Sequence, residues 1–313
     1  GVGANFCAQG LSMIADTRRA ELVAVTSRRE ERAKEFASKW NLNLWYTDHE
    51  EMLEKAPIDA VIVSTPHYLH YPMAMDAIKM GKHTLVDKPM AINLKEADEM
   101  INEAKKRNVK LGVTLQSRFD PTFRKVKDAV EEGRFGRPIL GEATVKWFRT
   151  QEYYDNSSWR GRWATEGGGA LINQAIHTID LLLWIMGPPK YLWAQIDTVA
   201  HKIEVEDLAV AAIRFENGAL GIVQGSTATY PGLPTRLEVH GTKGTATIEG
   251  EILKRWSVLG EEEIIAEKSK EGLKSWASPE LVPATNHAAL IRDFAEAVLN
   301  DREPFVIGVE GRR

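Results

Sequence analysis

Cysteine is almost absent: Cys7 is the one thiol in 313 residues. That excludes an intrachain disulfide and any zinc site built from several cysteines, and it fits a reducing, cytoplasmic setting. A basic excess is missing too. Lys and Arg total 40 against 44 Asp and Glu, a formal charge of −4, so no basic domain marks a nucleic-acid binder. No apolar run reaches the roughly 20 residues that span a bilayer. The longest, Ala175 to Met186, is interrupted by His177, Thr178 and Asp180. No signal peptide is visible. With 43% hydrophobic and 27% charged residues, a globular chain of about two domains is expected rather than a disordered one.

What is present alternates between two patterns. Short apolar runs at Leu22–Val25, Ile58–Val63, His83–Val86 and Lys110–Leu115 are separated by helical periodicity at Arg29–Trp40, Leu69–Met80 and beyond Asn93, a candidate N-cap. Strands alternating with helices imply an α/β domain with a doubly wound parallel sheet. After about Ser117 the pattern changes. A helix at Pro121–Glu132 precedes strand candidates at 139–148, 191–199, 208–215, 220–225, 236–240, 245–249 and 262–266, many joined by tight turns. These predict an α+β domain led by a large open, mostly antiparallel sheet. Long helices are expected at Leu171–Met186 and Asn286–Asn300. The division is 1–118 and 119–313.

Gly1-Val2-Gly3 opens the chain ahead of an apolar segment. In a dinucleotide fold the first glycine turns the chain and the second admits the pyrophosphate to a helix N-terminus. Phe6 stands where a third small residue belongs, so the pattern is incomplete, and a plain glycine-rich turn is the alternative. An NAD site carries an acid some 20 residues on. Here the next strand ends in Ser27-Arg28-Arg29. The guanidiniums suit the extra phosphate of NADP, which is favoured over NAD, or form a solvated start to the next helix.

Val86-Asp87-Lys88-Pro89 follows the third apolar run. Ligands bind beyond the carboxyl ends of such strands. Proline stiffens the turn, and Lys88 there could stabilise charge on a reacting oxygen, or be a surface lysine. In the helix from Leu171, one face carries Asn173, His177, Asp180 and Trp184, after Gly167-Gly168-Gly169. His177 reads as a general acid/base or as a packed histidine. The glycine run permits close approach of a ligand or another segment. His67 and His70, past the second run, suit a cofactor contact better than a metal pair, because no further ligands complete a site. No metal is expected.

Together these motifs are identified with a family. Ser64-Thr65-Pro66 with His70, Gly81 to Pro89, Gln116-Ser117-Arg118-Phe119-Asp120-Pro121, Gly167 to Leu181 and Gly308 to Arg313 resemble the glucose–fructose oxidoreductase, inositol dehydrogenase and MocA (Gfo/Idh/MocA) family, across essentially the whole chain. The resemblance implies a Rossmann domain and a C-terminal open-sheet domain. It implies hydride transfer between NAD(P) and a sugar, cyclitol or related polyol or ketone. Lys88 would bond the reacting oxygen, His177 would take its proton, and Asn173 would orient a hydroxyl. Gly1, Gly3, Asn5, Phe6, Ser27, Arg28, Arg29, Ser64, Thr65, Pro66, His70, Asp87, Lys88 and Gln116 would meet the cofactor. Arg118, Trp159, Arg160, Trp163, Asn173 and His177 would line the substrate pocket.

Three positions depart from the pattern: Phe6, Ser27 in place of the acid, and Asn173 where many members carry Asp. The same fold serves regulators that bind dinucleotide without turnover, so a non-catalytic sensor is the alternative. An amino-sugar nucleotide or another small carbonyl compound is a further substrate reading. No nucleic-acid or membrane partner is expected. A homo-oligomer, dimer or tetramer, is expected through the open sheet, with Val199, Val210, Ile213, Ile222 and Val223 supplying apolar area. Because Gly1 would be the first glycine of the phosphate loop, the resemblance also predicts a longer natural chain, with a strand before Gly1 and a helix after Arg313.

Overall fold

The computed structural model describes residues 2–15, 20–261, 264–265 and 284–313. Gly1 lies outside them, as does all of the 262–266 strand candidate except Ile264–Ile265. The chain forms two compact units, 1–116 with 283–313, and 117–282.

In the first unit β1 (Ala24–Thr26) pairs in parallel with β2 (Leu44–Tyr46). A second parallel sheet has the order β3 (Ala60–Val63), β4 (His83–Val86), β5 (Leu111–Val113). Helices connect the strands, as the alternating pattern implies. Asn93 caps the helix Leu94–Arg107 by accepting from the Glu96 N–H at 3.0 Å, which satisfies one of the orphan donors of the first turn. The strand β2 and the helix His49–Lys55 were not anticipated, since three residues are too short a run to show a period.

The last residues return to this unit instead of completing a domain 119–313. The helix Val2–Ile14 packs on the helix Thr285–Leu299. Their approach is close at Gly10, where a Cβ would stand 3.0 Å from the Ala288 nitrogen. Phe6 stacks on His287 with ring centroids 5.0 Å apart. The bulky residue in the fingerprint's third position thus has an aromatic partner from the far end of the chain. Ile307 bridges to Gly112, and Arg312 pairs with Asp98 at 2.8 Å.

The second unit is built on one sheet of eight strands: β6 (Pro138–Lys146), β7 (Pro189–Asp197), β8 (Leu208–Phe215), β9 (Leu220–Ser226), β10 (Arg236–Gly241), β11 (Gly244–Glu249), β12 (Ile252–Val258) and β13 (Ile264–Ile265). Their order is β13-β12-β11-β10-β6-β9-β8-β7. All neighbours are antiparallel except β6 and β9. β12 was not anticipated; Lys254-Arg255 in its middle hides the alternation.

The helices Pro121–Glu131 and Ile176–Met186 cover one face of this sheet. Val126, Leu181, Leu182 and Met186 are buried against Ala143, Ala211, Ile213 and Val223. Gly141 makes the close seat possible, since a Cβ there would lie 2.7 Å from the Leu182 side chain. The stretch Trp163–Met186 has the length and apolarity of a membrane span, but 56% of its most apolar window is buried inside the fold. Covering the sheet accounts for that apolarity. On β8 alternate residues face outward. Val199 and Val210 are exposed, at 55% and 44%, whereas Ile213 and Val223 lie in the core. The open face is therefore formed by the opposite pleat from Ile213 and Val223, and by Tyr191 and Trp193 of β7, which pair with Arg214 and Ala212 and are exposed.

Arg118 and Asp180 pin the covering helix. Both are buried, and the Arg118 guanidinium donates from Nε to Oδ2 at 2.9 Å and from Nη2 to Oδ1 at 2.5 Å. It also lies 5.7 Å from the Trp184 ring. Removing one partner of such a pair leaves a buried charge uncompensated. Asp180→Ala should therefore lower the unfolding free energy by about 3–5 kcal/mol, read by urea unfolding with tryptophan fluorescence. A loss below about 1 kcal/mol, the scale of an exposed pair, would show the pair to be dispensable.

Candidate active site

In the first unit the candidate residues gather at the carboxyl ends of β3 and β4. Asp87 accepts from Ser64 Oγ at 3.0 Å and from Thr114 Oγ1 at 2.6 Å. Burial pushes its carboxyl up, but the charges of His70 and Lys88 and the bonds from Thr114 and Ser64 outweigh burial and hold it below the usual carboxylate range. The Lys88 N–H donates to Asp87 Oδ1 at 2.8 Å and to Thr114 Oγ1 at 3.1 Å, so the backbone at Lys88 is held from two sides. The Lys88–Pro89 peptide is cis.

His70 differs from its expected role. It is 1% exposed, with Nδ1 2.6 Å from the Pro89 carbonyl and Nε2 2.8 Å from the Thr65 carbonyl. Carbonyl oxygens only accept, so both bonds form together when each ring nitrogen carries a proton. The ring staples the Lys88-Pro89 turn to the Thr65-Pro66 segment and does not face a cofactor.

Gly3 lies in the first turn of the helix Val2–Ile14. A Cβ there would be 2.2 Å from Asp87 Oδ2 and 2.4 Å from Ser64 Oγ, so the residue must be glycine for the helix start to sit over these strand ends. Thr65 Oγ1 is buried, with no hydrogen-bond partner among the described residues. A helix N-terminus over strand ends with an orphaned hydroxyl fits a dinucleotide phosphate. Arg28 and Arg29 are exposed just beyond β1, and Ser27 Oγ accepts from the Arg29 N–H at 3.4 Å. Asn5 accepts from Lys39 Nζ at 3.4 Å. Phe6 stacks one ring face on His287. Pro66 caps a single 3-10 turn at His67–Leu69, and Gln116 opens another at Gln116–Phe119. The Cys7 thiol is pushed far up by burial, so it supplies no nucleophile.

In the second unit the glycine run is held by two carboxylates that sequence reasoning missed. Glu166 ends the short helix Trp163–Glu166, which Gly167 terminates at φ +84. Glu166 is 1% exposed. Its Oε2 accepts from the Gly161 N–H at 2.5 Å and its Oε1 from Asn173 Nδ2 at 2.6 Å. Burial raises its pKa, and those bonds work against the rise. Glu206 accepts from the Gly169 N–H at 2.8 Å and the Leu171 N–H at 3.0 Å. A Cβ on Gly169 would stand 1.8 Å from the Glu206 carbonyl oxygen. The close approach at this glycine is therefore to another chain segment.

Residues Leu171–Ala175 form a π-turn that runs into the helix Ile176–Met186. It places Asn173 one turn before His177. Both are partly exposed. The Arg160 guanidinium lies 4.5 Å from the Trp159 ring and 4.7 Å from the ring of Tyr153, an aromatic partner not singled out from the sequence. Tyr153 Oη accepts from Gln174 Nε2 at 3.2 Å. Trp163 is 49% exposed. Arg118, expected against substrate, instead sits in its ion pair with Asp180. The signal for Glu166 was its place directly before the glycine run; Tyr153, Glu206 and Thr114 left none.

Comparison with known proteins agrees with this arrangement. Residues 1–115 match the model of an oxidoreductase family with an NAD-binding Rossmann fold, and residues 123–247 match the GFO/IDH/MocA C-terminal domain. Myo-inositol 2-dehydrogenase of Thermotoga maritima is 33% identical over 242 residues, 76% of this chain and 69% of the relative. The 1,5-anhydro-D-fructose reductase of Ensifer adhaerens is 30% identical over 72% of this chain and 67% of its own length. The WlbA dehydrogenase from Bordetella pertussis, solved in complex with NADH and UDP-GlcNAcA, superposes with a TM-score of 0.83 at 32% identity, covering 97% of this chain and 87% of that one. The chain belongs to the Gfo/Idh/MocA family of NAD-binding oxidoreductases.

Proposed function

We propose that this oxidoreductase moves a hydride between a nicotinamide dinucleotide and a hydroxyl-bearing carbon of a sugar, cyclitol or related polyol. The observation that carries the reading is the clamp on the Lys88 turn by Asp87, Thr114 and His70. So much structure behind one backbone position suits a lysine whose ammonium must meet a reacting oxygen. The nicotinamide, when bound, takes or returns the hydride. Lys88 donates to the oxygen that changes charge. His177 takes the hydroxyl proton, and Asn173 orients a substrate hydroxyl. Trp159 and Trp163 offer aromatic surface to a polyhydroxylated ring. Lys88→Ala should lower turnover by roughly 10²-fold or more, the scale of a lost transition-state donor, in a reduced-nicotinamide absorbance assay across sugars and cyclitols. An unchanged rate would remove Lys88 from the mechanism. Tight dinucleotide binding without turnover of any of these substrates would favour the sensor.

NADP is the preferred dinucleotide in this reading. Ser27 stands where an acid would bond the ribose, and the exposed Arg28 and Arg29 beside it can take a phosphate. In thermal unfolding with NAD, NADH, NADP and NADPH, the phosphorylated pair should give the larger stabilisation. Arg28→Ala with Arg29→Ala should weaken NADPH by about tenfold or more, as expected for charged hydrogen bonds, and spare NADH. Equal shifts with all four would refute the preference.

A second substrate reading is an amino-sugar nucleotide, favoured by the UDP-GlcNAcA complex of the WlbA dehydrogenase and by the Arg160 guanidinium beside the Tyr153 and Trp159 rings. Product analysis separates the two.

The outward pleat of β8 with β7 supports a homo-oligomer, because Tyr191 and Trp193 are exposed at 67% and 64% on the same face as Val210. Sedimentation at micromolar concentration should give a dimer or tetramer, and Trp193→Asp with Val210→Asp should give the monomer. A monomeric wild type would overturn this.

A further inference from the structure

The two ends of an asparagine amide have the same shape and opposite hydrogen-bonding character: Nδ2 donates and Oδ1 accepts. Whatever Asn173 meets in a substrate therefore depends on which end it turns outward, and its own packing cannot decide that. We infer that Glu166 is a positioning residue that orients the Asn173 amide, so that position 173 offers an oxygen to a free hydroxyl of the substrate. This deepens the polyol reading above and rests on it.

The geometry is specific. Glu166 Oε1 is 2.6 Å from Asn173 Nδ2. An ionised carboxylate has no donor, so the nitrogen end must face it and the oxygen end forms the other arm. Glu166 has no freedom to turn away. It is 1% exposed, and its second oxygen is engaged by the Gly161 N–H at 2.5 Å. That N–H is itself fixed: Gly161 has φ +77 and packs so closely on Ile203 that a Cβ would lie 2.8 Å from its Cγ2. The chain of restraint runs from the Gly161 backbone through both carboxylate oxygens to one end of the amide. Asn173 then presents the same kind of atom as an aspartate would, without a second negative charge beside Glu166. A site built to accept from a hydroxyl rejects analogues that lack it by roughly 10² or more, so the matching deoxy or O-methyl substrate should be refused.

The pattern of bonds sets the test. In Glu166→Gln, one nitrogen replaces one oxygen. If it faces Asn173, the amide must invert and show its donor to the substrate. If it faces Gly161, two donors oppose each other. Glu166→Gln with Asn173→Asp restores both of these bonds: the introduced glutamine amide donates through its nitrogen to the new carboxylate, its oxygen accepts from Gly161, and an oxygen again faces outward. Glu166→Gln should raise KM for the polyol by roughly 10²-fold while leaving the NADPH dissociation constant unchanged. The double variant should recover KM to within about tenfold of wild type, a recovery that a purely structural glutamate would not show. A double variant no better than Glu166→Gln, or an unchanged KM in the single variant, overturns the inference. If Glu166→Gln does not fold, wild-type protein labelled with 15N-asparagine decides the orientation. The Asn173 side-chain signal, assigned by its loss in Asn173→Ala, should show one proton shifted strongly downfield by the carboxylate. A signal like that of a solvated amide overturns the inference. If the wild type oxidises no polyol, the functional reading fails, and this spectrum still decides whether Glu166 orients Asn173.

Discussion

A buried carboxylate can only accept hydrogen bonds, and it must be surrounded by donors or charge to remain ionised. That demand organises both units. Asp87 draws Ser64 and Thr114 to the ends of the parallel strands and stands beside Gly3. Glu166 and Glu206 gather the N–H groups of Gly161, Gly169 and Leu171. Asp207, fully buried, collects the N–H groups of Val199, Ala200 and His201; burial would raise its pKa, but these bonds hold it below the ordinary value. At Asp87, Glu166 and Glu206, loops that carry or adjoin candidate site residues are shaped by an acid behind them. The glycines in those loops follow from the same demand, because donors must come close enough to reach the oxygens.

The apolar framework is more conventional. The covering helix seats on the sheet through Leu182 and Met186 over Gly141, and the Arg118–Asp180 pair fixes its rotation. With that rotation set, the π-turn before it determines where Asn173 stands relative to His177. Stability and site geometry are thus joined in one element.

Much of this was legible in the residues, for identifiable reasons. Lys88, Asn173 and His177 sit in motifs whose spacing survives in a linear reading. The parallel and antiparallel halves announced themselves through helix–strand alternation and tight turns. The losses have physical causes as well. Glu206 acts on the N–H groups of Gly169 and Leu171, far away in sequence, and a backbone donor has no residue signature. His70 occupied a strand end, where a ligand contact is expected, but its burial between two carbonyls is a tertiary fact. The expected division near 118 lies close to the observed one, but the domain 119–313 ran too far, because the pairing of the helices Val2–Ile14 and Thr285–Leu299 joins opposite ends of the chain. Arg118 was assigned to substrate through the resemblance of its motif, and its ion pair with Asp180 is visible only in the packing.

Cys7 carries a consequence of a different kind. The sole thiol of the chain is 4% exposed and held protonated by its apolar surroundings. Alkylating reagents and mild oxidants that attack thiolates find no target on the folded surface. The protein is in effect a natural cysteine-free background, on which one introduced surface cysteine would react alone and report the movement of whichever loop carries it.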